Sequence, residues 1–291
     1  MRPFVLILLA AALSMASAAQ AEGSSAGALR AKHDALRSKL ERNDFGRPLH
    51  LVSEEGSNQL RGDVYGVVNH AFAEVDRGFR EASNWCDVLI LPFNTKHCHA
   101  APGEGATQLT VRIGRKADQP VEQAYPIAFK YRVGARTADY LRIVLLAETG
   151  PLGTRDYQIV LEATPLDEAR TFIHLGYSYG FGVVSRLALQ TYLSTLGAGK
   201  VGFTVVGHEA NGAPKYVGGM LGATERNTMR YFIAIDSYLG SLAAAPGTQV
   251  QKRLSDWFAA TEKYPRQLHE MDRGEYIAMK SKETQRLRTA L

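Results

Sequence analysis

The segment Gly176-Tyr177-Ser178-Tyr179-Gly180 has the residue pattern with the clearest chemical meaning in this chain. It matches G-x-S-x-G, the sharp turn that exposes a nucleophilic serine between a strand and a helix in α/β-hydrolases. That elbow needs a parallel sheet, whereas the short turn at 165–169 predicts an antiparallel hairpin with the preceding strand. The pattern therefore favours a structural role for Ser178, and a serine hydrolase that uses Ser178 stays as the alternative.

Asp236 is the second residue that could serve a site. It follows Phe232 and Ile233 at spacings of four and three, which place it on the apolar face of a helix predicted at 225–242. A carboxylate is costly to bury unless it is paired or binds a ligand. The alternative is that Asp236 lies at the edge of this face and reaches water.

Residues 1–21 predict a secretory signal peptide. Arg2 precedes a short apolar run at 4–13, and Ala19-Gln20-Ala21 fits the small-x-small cleavage pattern. The run is too short to span a bilayer. Cleavage after Ala21 leaves a chain that we expect to be exported, either periplasmic or secreted.

The charge pattern of the mature chain limits its partners. The 270 residues after Ala21 contain 33 basic and 29 acidic side chains, and the two signs are interspersed. Dedicated nucleic-acid binding would need a concentrated basic stripe, so we expect no nucleic-acid partner. Weak attraction to an anionic membrane surface stays open.

Cys86 and Cys98 are the only cysteines of the sequence. An even number of cysteines in an exported chain predicts a disulfide. The rival hypothesis is a metal site that adds His97 and His99, but adjacent residues of a strand point to opposite faces and converge poorly. We predict a Cys86–Cys98 disulfide, no metal site and no cofactor.

The elements that must position these residues alternate between helix and strand patterns. Leu29, Leu36 and Leu40 predict a helix at 26–42 that packs on the domain. Phe72, Val75 and Phe79 predict another helix, after strands at 49–53 and 60–68. Further strands are predicted at 88–91, 109–113, 127–133, 140–147, 157–162 and 171–179. Alternation of apolar and charged residues in most of them indicates an antiparallel sheet with one dry face.

The remaining residues are mostly helical by pattern. A helix at 187–196 is followed by two strands at 201–206 and 216–221, and then by the long helix at 225–242. Amphipathic helices continue to the end of the chain. The predicted fold is α+β, in which a curved antiparallel sheet grips a long C-terminal helix and extra helices lie at both ends.

The segments VYGVVNHAFAEVDRGFREASNW (64–85) and YQIVLEATPLDEARTFIHLGY (157–177), with the late helix from Glu225, resemble the START-like superfamily of polyketide-cyclase and lipid-transfer domains. The resemblance covers residues 49–242, preceded by a helix and linker at 26–48 and followed by a helical extension at 243–291. It departs from the usual scheme in the inserted helix at 187–196 and in that extension. The resemblance implies a cavity for an apolar or amphipathic, lipid-like molecule, and it provides no catalytic residue set to carry over.

We predict that this cavity lies between the sheet and the helix at 225–242. Tyrosines concentrate on the inner face of the sheet, where a buried hydroxyl needs a partner, and a mostly apolar lining with a few polar groups is the usual form of a ligand site. The predicted lining residues are Phe129, Tyr131, Tyr157, Ile159, Tyr177, Tyr179, Phe232 and Asp236. If these faces packed tightly, they would form an ordinary core instead. The predicted function is binding or transfer of a hydrophobic small molecule, and a non-catalytic interaction module is a further alternative.

Overall fold

The computed structural model describes residues 25–195 and 197–287. The predicted signal peptide at 1–21 lies outside these ranges, as does residue 196 at the end of the helix predicted at 187–196. None of the helices in the described ranges has both the length and the apolar character that crossing a bilayer requires.

The described residues form one large antiparallel sheet and a small separate hairpin. The strands of the large sheet are β1 (Leu49–Glu55), β2 (Gln59–Val68), β3 (Thr95–Pro102), β4 (Thr107–Ile113), β5 (Tyr125–Arg136), β6 (Leu141–Thr149), β7 (Arg155–Pro165) and β8 (Thr171–Gly180). They lie in the order β1-β2-β8-β7-β6-β5-β4-β3, and each neighbouring pair is antiparallel. The separate hairpin consists of β9 (Val205–His208) and β10 (Pro214–Tyr216).

Helices lie before, within and after the sheet. The helices of the described residues are α1 (Ala26–Glu41), α2 (Phe72–Phe79), α3 (Ala82–Leu89), α4 (Val183–Thr195), α5 (Gly219–Ser241), α6 (Gln249–Thr261), α7 (Pro265–Leu268) and α8 (Arg273–Arg286). Short 3₁₀ turns occur at Val121–Gln123 and Pro151–Gly153. The predicted α+β class, with a curved antiparallel sheet and helices at both ends, is confirmed.

The long helix α5 packs directly on β1, β2 and β8. Glycine makes the close approach to β2 possible, since a Cβ on Gly66 would lie 2.5 Å from the ring of Phe232. Gly62, four residues earlier on the same strand, meets Thr228 of α5 in the same way. These contacts hold α5 against one end of the sheet, in a helix-grip arrangement.

Two local predictions are wrong. Residues 88–91 are not a strand, because Val88 and Leu89 complete the helix α3 and Ile90 caps it. A short apolar run is compatible with a buried helix as well as with a buried strand, so the pattern could not separate the two. The strands predicted at 201–206 and 216–221 are also misplaced, since β9 and β10 are shorter and pair only with each other.

Helix α1 covers the face of the sheet opposite to α5. The residues Leu29, Leu36 and Leu40, predicted to share one helix face, are buried against Phe172 and Tyr140 in a second, smaller core. The prediction that this helix packs on the domain is therefore confirmed. The outer face of the sheet is thus partly dry, which the alternation of its residues did not indicate.

Cys86 of α3 and Cys98 of β3 form a disulfide, as predicted. Both residues are buried, and the bond closes a loop with a sequence separation of 12. It joins α3 to β3, the edge strand of the sheet.

Replacing both Cys86 and Cys98 with serine should lower the free energy of unfolding by about 2–3 kcal/mol, because the bond restricts the unfolded chain over a short loop. Urea unfolding of the oxidised protein, the reduced protein and the double variant measures this difference. The expectation fails if reduction leaves the unfolding midpoint where it was. Two titratable thiols in protein taken from its native compartment would argue against the bond itself.

Candidate functional site

A cavity of about 430 Å³ lies between the sheet and α5. Its walls come from β4, β5, β7 and β8, from the first half of α5, and from α4. Because α5 is held closely at the β1–β2 end of the sheet, the open space lies toward β4 and β5. The prediction of a cavity between the sheet and this helix is therefore met by the structure.

Aromatic side chains form one wall of the cavity. Tyr157 of β7 and Tyr177 and Tyr179 of β8 point to the inner face, because alternate residues of a strand share a face. The rings of Tyr157 and Tyr179 stack with their centroids 5.3 Å apart. Tyr231 of α5 closes this wall, with its ring centroid 5.5 Å from that of Tyr177.

The phenols of this wall are donors of hydrogen bonds rather than bases. Burial raises the pKa of Tyr231 to about 12 and also raises the pKa of Tyr177 and Tyr179. Tyr157 has its hydroxyl 2.8 Å from the hydroxyl of Thr154, and burial raises its pKa as well. These hydroxyls therefore keep their protons at neutral pH.

Basic side chains line another part of the cavity. Arg226 and Arg230 lie one turn apart on α5, and Arg115 and Lys116 follow β4. Burial lowers the pKa of Arg226 to about 10 and that of Lys116 to about 8, and the Arg230 charge adds to both shifts.

Glu270 lies beside these basic groups. It accepts hydrogen bonds from Nη2 of Arg230 at 2.5 Å and from Nζ of Lys116 at 2.6 Å. The sequence analysis did not identify the arginines of α5 as site residues. The positions 223, 226, 227, 230 and 231 share one helix face, which was the signal that could have identified them.

The inserted helix α4 covers part of the cavity. Leu189, Tyr192 and Leu193 line the space from this side. On its outer side, Val183 and Val184 are 88% and 83% exposed. The helix predicted at 187–196 as an insertion therefore lies at the cavity wall.

Half of the predicted lining residues line this cavity, namely Phe129, Tyr157, Tyr177 and Tyr179. Tyr131 does not line it, because its hydroxyl donates to the carbonyls of Phe79 and Arg80 at 2.9 and 2.8 Å. Ile159 belongs to the packed core. Phe232 is buried against Gly66, with the Arg47 guanidinium 5.1 Å from its ring centroid.

Asp236 is also outside the cavity, so the prediction that it borders the same space is wrong. Its Oδ2 accepts a hydrogen bond from Arg47 at 2.9 Å, and its Oδ1 lies 3.5 Å from Nε2 of His70. Burial alone would raise the pKa of Asp236, but His70 and Arg47 outweigh that effect and lower it. The helical pattern placed Asp236 around the helix correctly, but at about 1.5 Å per residue it is roughly 7–8 Å beyond Tyr231 along the axis.

Ser178 does not have the surroundings of a nucleophile. It lies within β8, between its neighbours Tyr177 and Tyr179, and so faces away from the cavity. His174, on the same face, is four residues away, or about 13 Å along the strand. The two ring nitrogens of His174 are 2.7 Å from Asp63 Oδ1 and 2.6 Å from Glu162 Oε2. In the described ranges there is also no cluster of three His, Cys, Asp or Glu side chains suited to a metal ion.

Replacing Ser178 with alanine should leave ligand binding unchanged, because the side chain makes no contact with the cavity. The free energy of unfolding should change by less than about 1 kcal/mol. A fluorophosphonate probe should not label the wild-type protein. The hydrolase alternative would gain support from labelling that Ser178→Ala abolishes, together with an esterase activity that falls about a thousandfold or more in the variant.

No protein-family model and no curated protein matches the chain. Among solved structures, it is similar to a conserved protein from Geobacillus kaustophilus, with 13% identity, a TM-score of 0.36, and 62% of this chain and 95% of that chain covered. It is similar to a norcoclaurine synthase point mutant from Thalictrum flavum in complex with a transition state analogue, with 14% identity and a TM-score of 0.35. The match covers 50% of this chain and 91% of that chain. It is also similar to human StAR-related lipid transfer protein 5, with 9% identity and a TM-score of 0.31. That match covers 58% of this chain and 91% of that chain. The helix-grip arrangement is defined by the strand order of the large sheet and by the position of α5 on β1, β2 and β8.

Proposed function

We propose that this chain binds an apolar or amphipathic small molecule in the cavity between the sheet and α5. The observation that carries the proposal is the cavity itself, whose volume of about 430 Å³ falls in the range of small-molecule sites, roughly 300–1,000 Å³. Its aromatic wall offers apolar contact area, and the protonated phenols offer hydrogen-bond donors. A tightly packed core would leave no such space.

We also propose that the ligand enters past α4. This helix lines the cavity with apolar side chains and exposes Val183, Val184 and Leu187 on its outer side. Exposed apolar residues beside a cavity mouth favour exchange with a lipid phase such as a membrane surface, and thus transfer of the ligand. The Cys86–Cys98 disulfide supports a site of action outside the cytoplasm, where such bonds persist.

The proposal predicts that organic extraction of protein purified from its native cells releases a small molecule that mass spectrometry detects at near-stoichiometric amounts. Ala223→Phe should reduce the bound amount at least about tenfold, because its ring would occupy the cavity that Ala223 lines. Ala259→Phe, on the exposed side of α6, is the matched control and should retain the ligand.

A wild-type extract without any ligand, or an Ala223→Phe protein that retains the wild-type amount, would contradict the binding function. Thermal unfolding of both variants separates loss of the ligand from loss of the fold. Capture of a protein partner by a chain that holds no small molecule would instead support the interaction-module alternative.

A further inference from the structure

We propose that the ligand is an amphipathic acid, whose anionic group is held by Arg226 and Arg230 and whose apolar body lies against the tyrosine wall. This inference rests on the proposed binding function and names its ligand class. It follows from the distribution of charge around the cavity, from the burial of Arg226, and from the position of the aromatic residues relative to the two arginines.

The charge around the cavity is of one sign. Among the described residues that line it there are four basic side chains, Arg115, Lys116, Arg226 and Arg230, and no carboxylate. Glu270, just outside the lining, is shared by Arg230, Lys116 and also Lys200, whose Nζ lies 3.5 Å from Oε2. One carboxylate for three cations leaves this end of the cavity positive even before Arg226 is counted.

Arg226 makes no ion pair within 4 Å in the described part of the chain, and the more distant charges of Glu270 and Glu225 only partly offset the lowering of its pKa by burial. It is 4% exposed, and its Nη1 donates to the carbonyl of Val201 at 3.1 Å. Its neighbour Glu225 is engaged elsewhere, by Ser53 and by the backbone and hydroxyl of Thr204. A buried charge that makes no ion pair is unfavourable, so an anion bound beside Arg226 would reduce this cost.

Arg230, the second arginine, also favours an anion at this position. Arg230 is equally buried, and its Nε has no acceptor within the described residues. Two like charges one turn apart on a helix repel each other, and the Arg230 charge contributes to the lowered pKa of Arg226. Guanidinium groups are the preferred partners of carboxylates, with which they form paired hydrogen bonds.

The aromatic wall provides a contact surface for the apolar body of the ligand. Tyr231 follows Arg230 directly on α5, and its ring packs against that of Tyr177 within the aromatic wall. An anionic group at the arginines therefore places the attached body along this wall. A cationic amphiphile would meet four like charges, and a neutral one would leave the excess positive charge uncompensated.

The test compares three probes of equal chain length, dodecanoate, dodecanol and dodecylamine, on ligand-stripped protein by isothermal titration calorimetry. Dodecanoate should bind at least about tenfold more tightly than dodecanol, since a charge-assisted hydrogen bond contributes on that scale, and dodecylamine should bind most weakly. Arg226→Met should weaken dodecanoate binding about tenfold and so remove most of the preference for dodecanoate over dodecanol. Arg132→Met, on an exposed position of β5, is the matched control and should change neither.

Unfolding of the ligand-free proteins provides a second readout. Arg226→Met removes a buried, unpaired charge, so the ligand-free variant should melt at or above the wild-type temperature. Saturating dodecanoate should raise the melting temperature of the wild type more than that of the variant. A purely structural arginine would give the opposite result in the ligand-free protein.

The outcomes separate this inference from the proposed function. Equal or tighter binding of dodecanol by the wild type, or extraction of a neutral or cationic native ligand, would overturn the acid assignment while binding itself stands. Extraction of an acid would support it. A folded protein that binds none of the three probes and releases no native ligand would contradict the binding function together with this inference.

Discussion

Replacing Glu283 with glutamine should lower the free energy of unfolding by about 3–5 kcal/mol, the cost of leaving buried charges without their partner. Glu283 of α8 lies between two buried lysines. Its Oε1 accepts from Lys96 of β3 at 2.9 Å and its Oε2 from Lys280 at 2.7 Å, with all three side chains at most 1% exposed. The lysines also donate to the carbonyls of Phe93 and Thr95, so this network fixes α8 to the edge of the sheet.

The measurement is urea unfolding of Glu283→Gln beside Glu275→Gln, an exposed glutamate of the same helix that should cost less than about 0.5 kcal/mol. Simultaneous replacement of Lys96 and Lys280 with methionine and of Glu283 with leucine should recover most of the loss, because an apolar cluster needs no charge balance. A Glu283→Gln protein within about 1 kcal/mol of the wild type would show that the network is not a buried ion cluster in solution.

Replacing His174 with glutamine should cost about 3 kcal/mol near pH 5.5, again because a buried charge network loses its central member. The His174 ring bridges Asp63 and Glu162 on the outer face of the sheet, and its side chain is 7% exposed. Burial would lower the pKa of His174, but the hydrogen bonds and charges of the two carboxylates raise it. Burial would raise the pKa of Asp63 and of Glu162, but hydrogen bonds outweigh it and lower both values. Asp63 accepts from His174 and Arg61, and Glu162 accepts from His174 and Tyr140.

The pH dependence of this loss has a definite sign. The raised pKa of His174 means that its contribution is complete below its ordinary value of 6.5 and disappears as the pH rises through the folded-state value. The lowered pKa values of Asp63 and Glu162 mean that their contribution is complete above their ordinary values of 3.8 and 4.5 and disappears as the pH falls through the folded-state values. The difference between wild type and variant should therefore be largest between pH 4.5 and 6.5.

Unfolding of His174→Gln across pH 4–9 measures this window, and His99→Gln, at an exposed position of β3, is the matched control. The control should be nearly indistinguishable from the wild type at every pH. A difference that stays constant over the whole range would mean that His174 is not charged in the folded protein.

Much of the candidate site could be predicted from local pattern. Side chains alternate along a strand, so the positions of Tyr157, Tyr177 and Tyr179 relative to the charged residues of β7 and β8 were enough to place all three on the inner face. The same rule placed Phe129 on the inner face of β5. The export hypothesis led to the Cys86–Cys98 pair for a different reason, since two cysteines allow a single intramolecular bond.

Only the tertiary structure decided which inner-face residues meet the cavity and which meet the core. A periodic pattern gives the angle of a residue around a helix but not the depth at which the helix lies on the sheet. That depth depends on the contact of Phe232 with Gly66, which puts Phe232 and Asp236 over β2 and the arginines of α5 over the cavity. The charge of the site depends on Glu270, which is more distant in the sequence. Glu270 follows α7 in the chain and reaches Arg230 only after the C-terminal helices have packed.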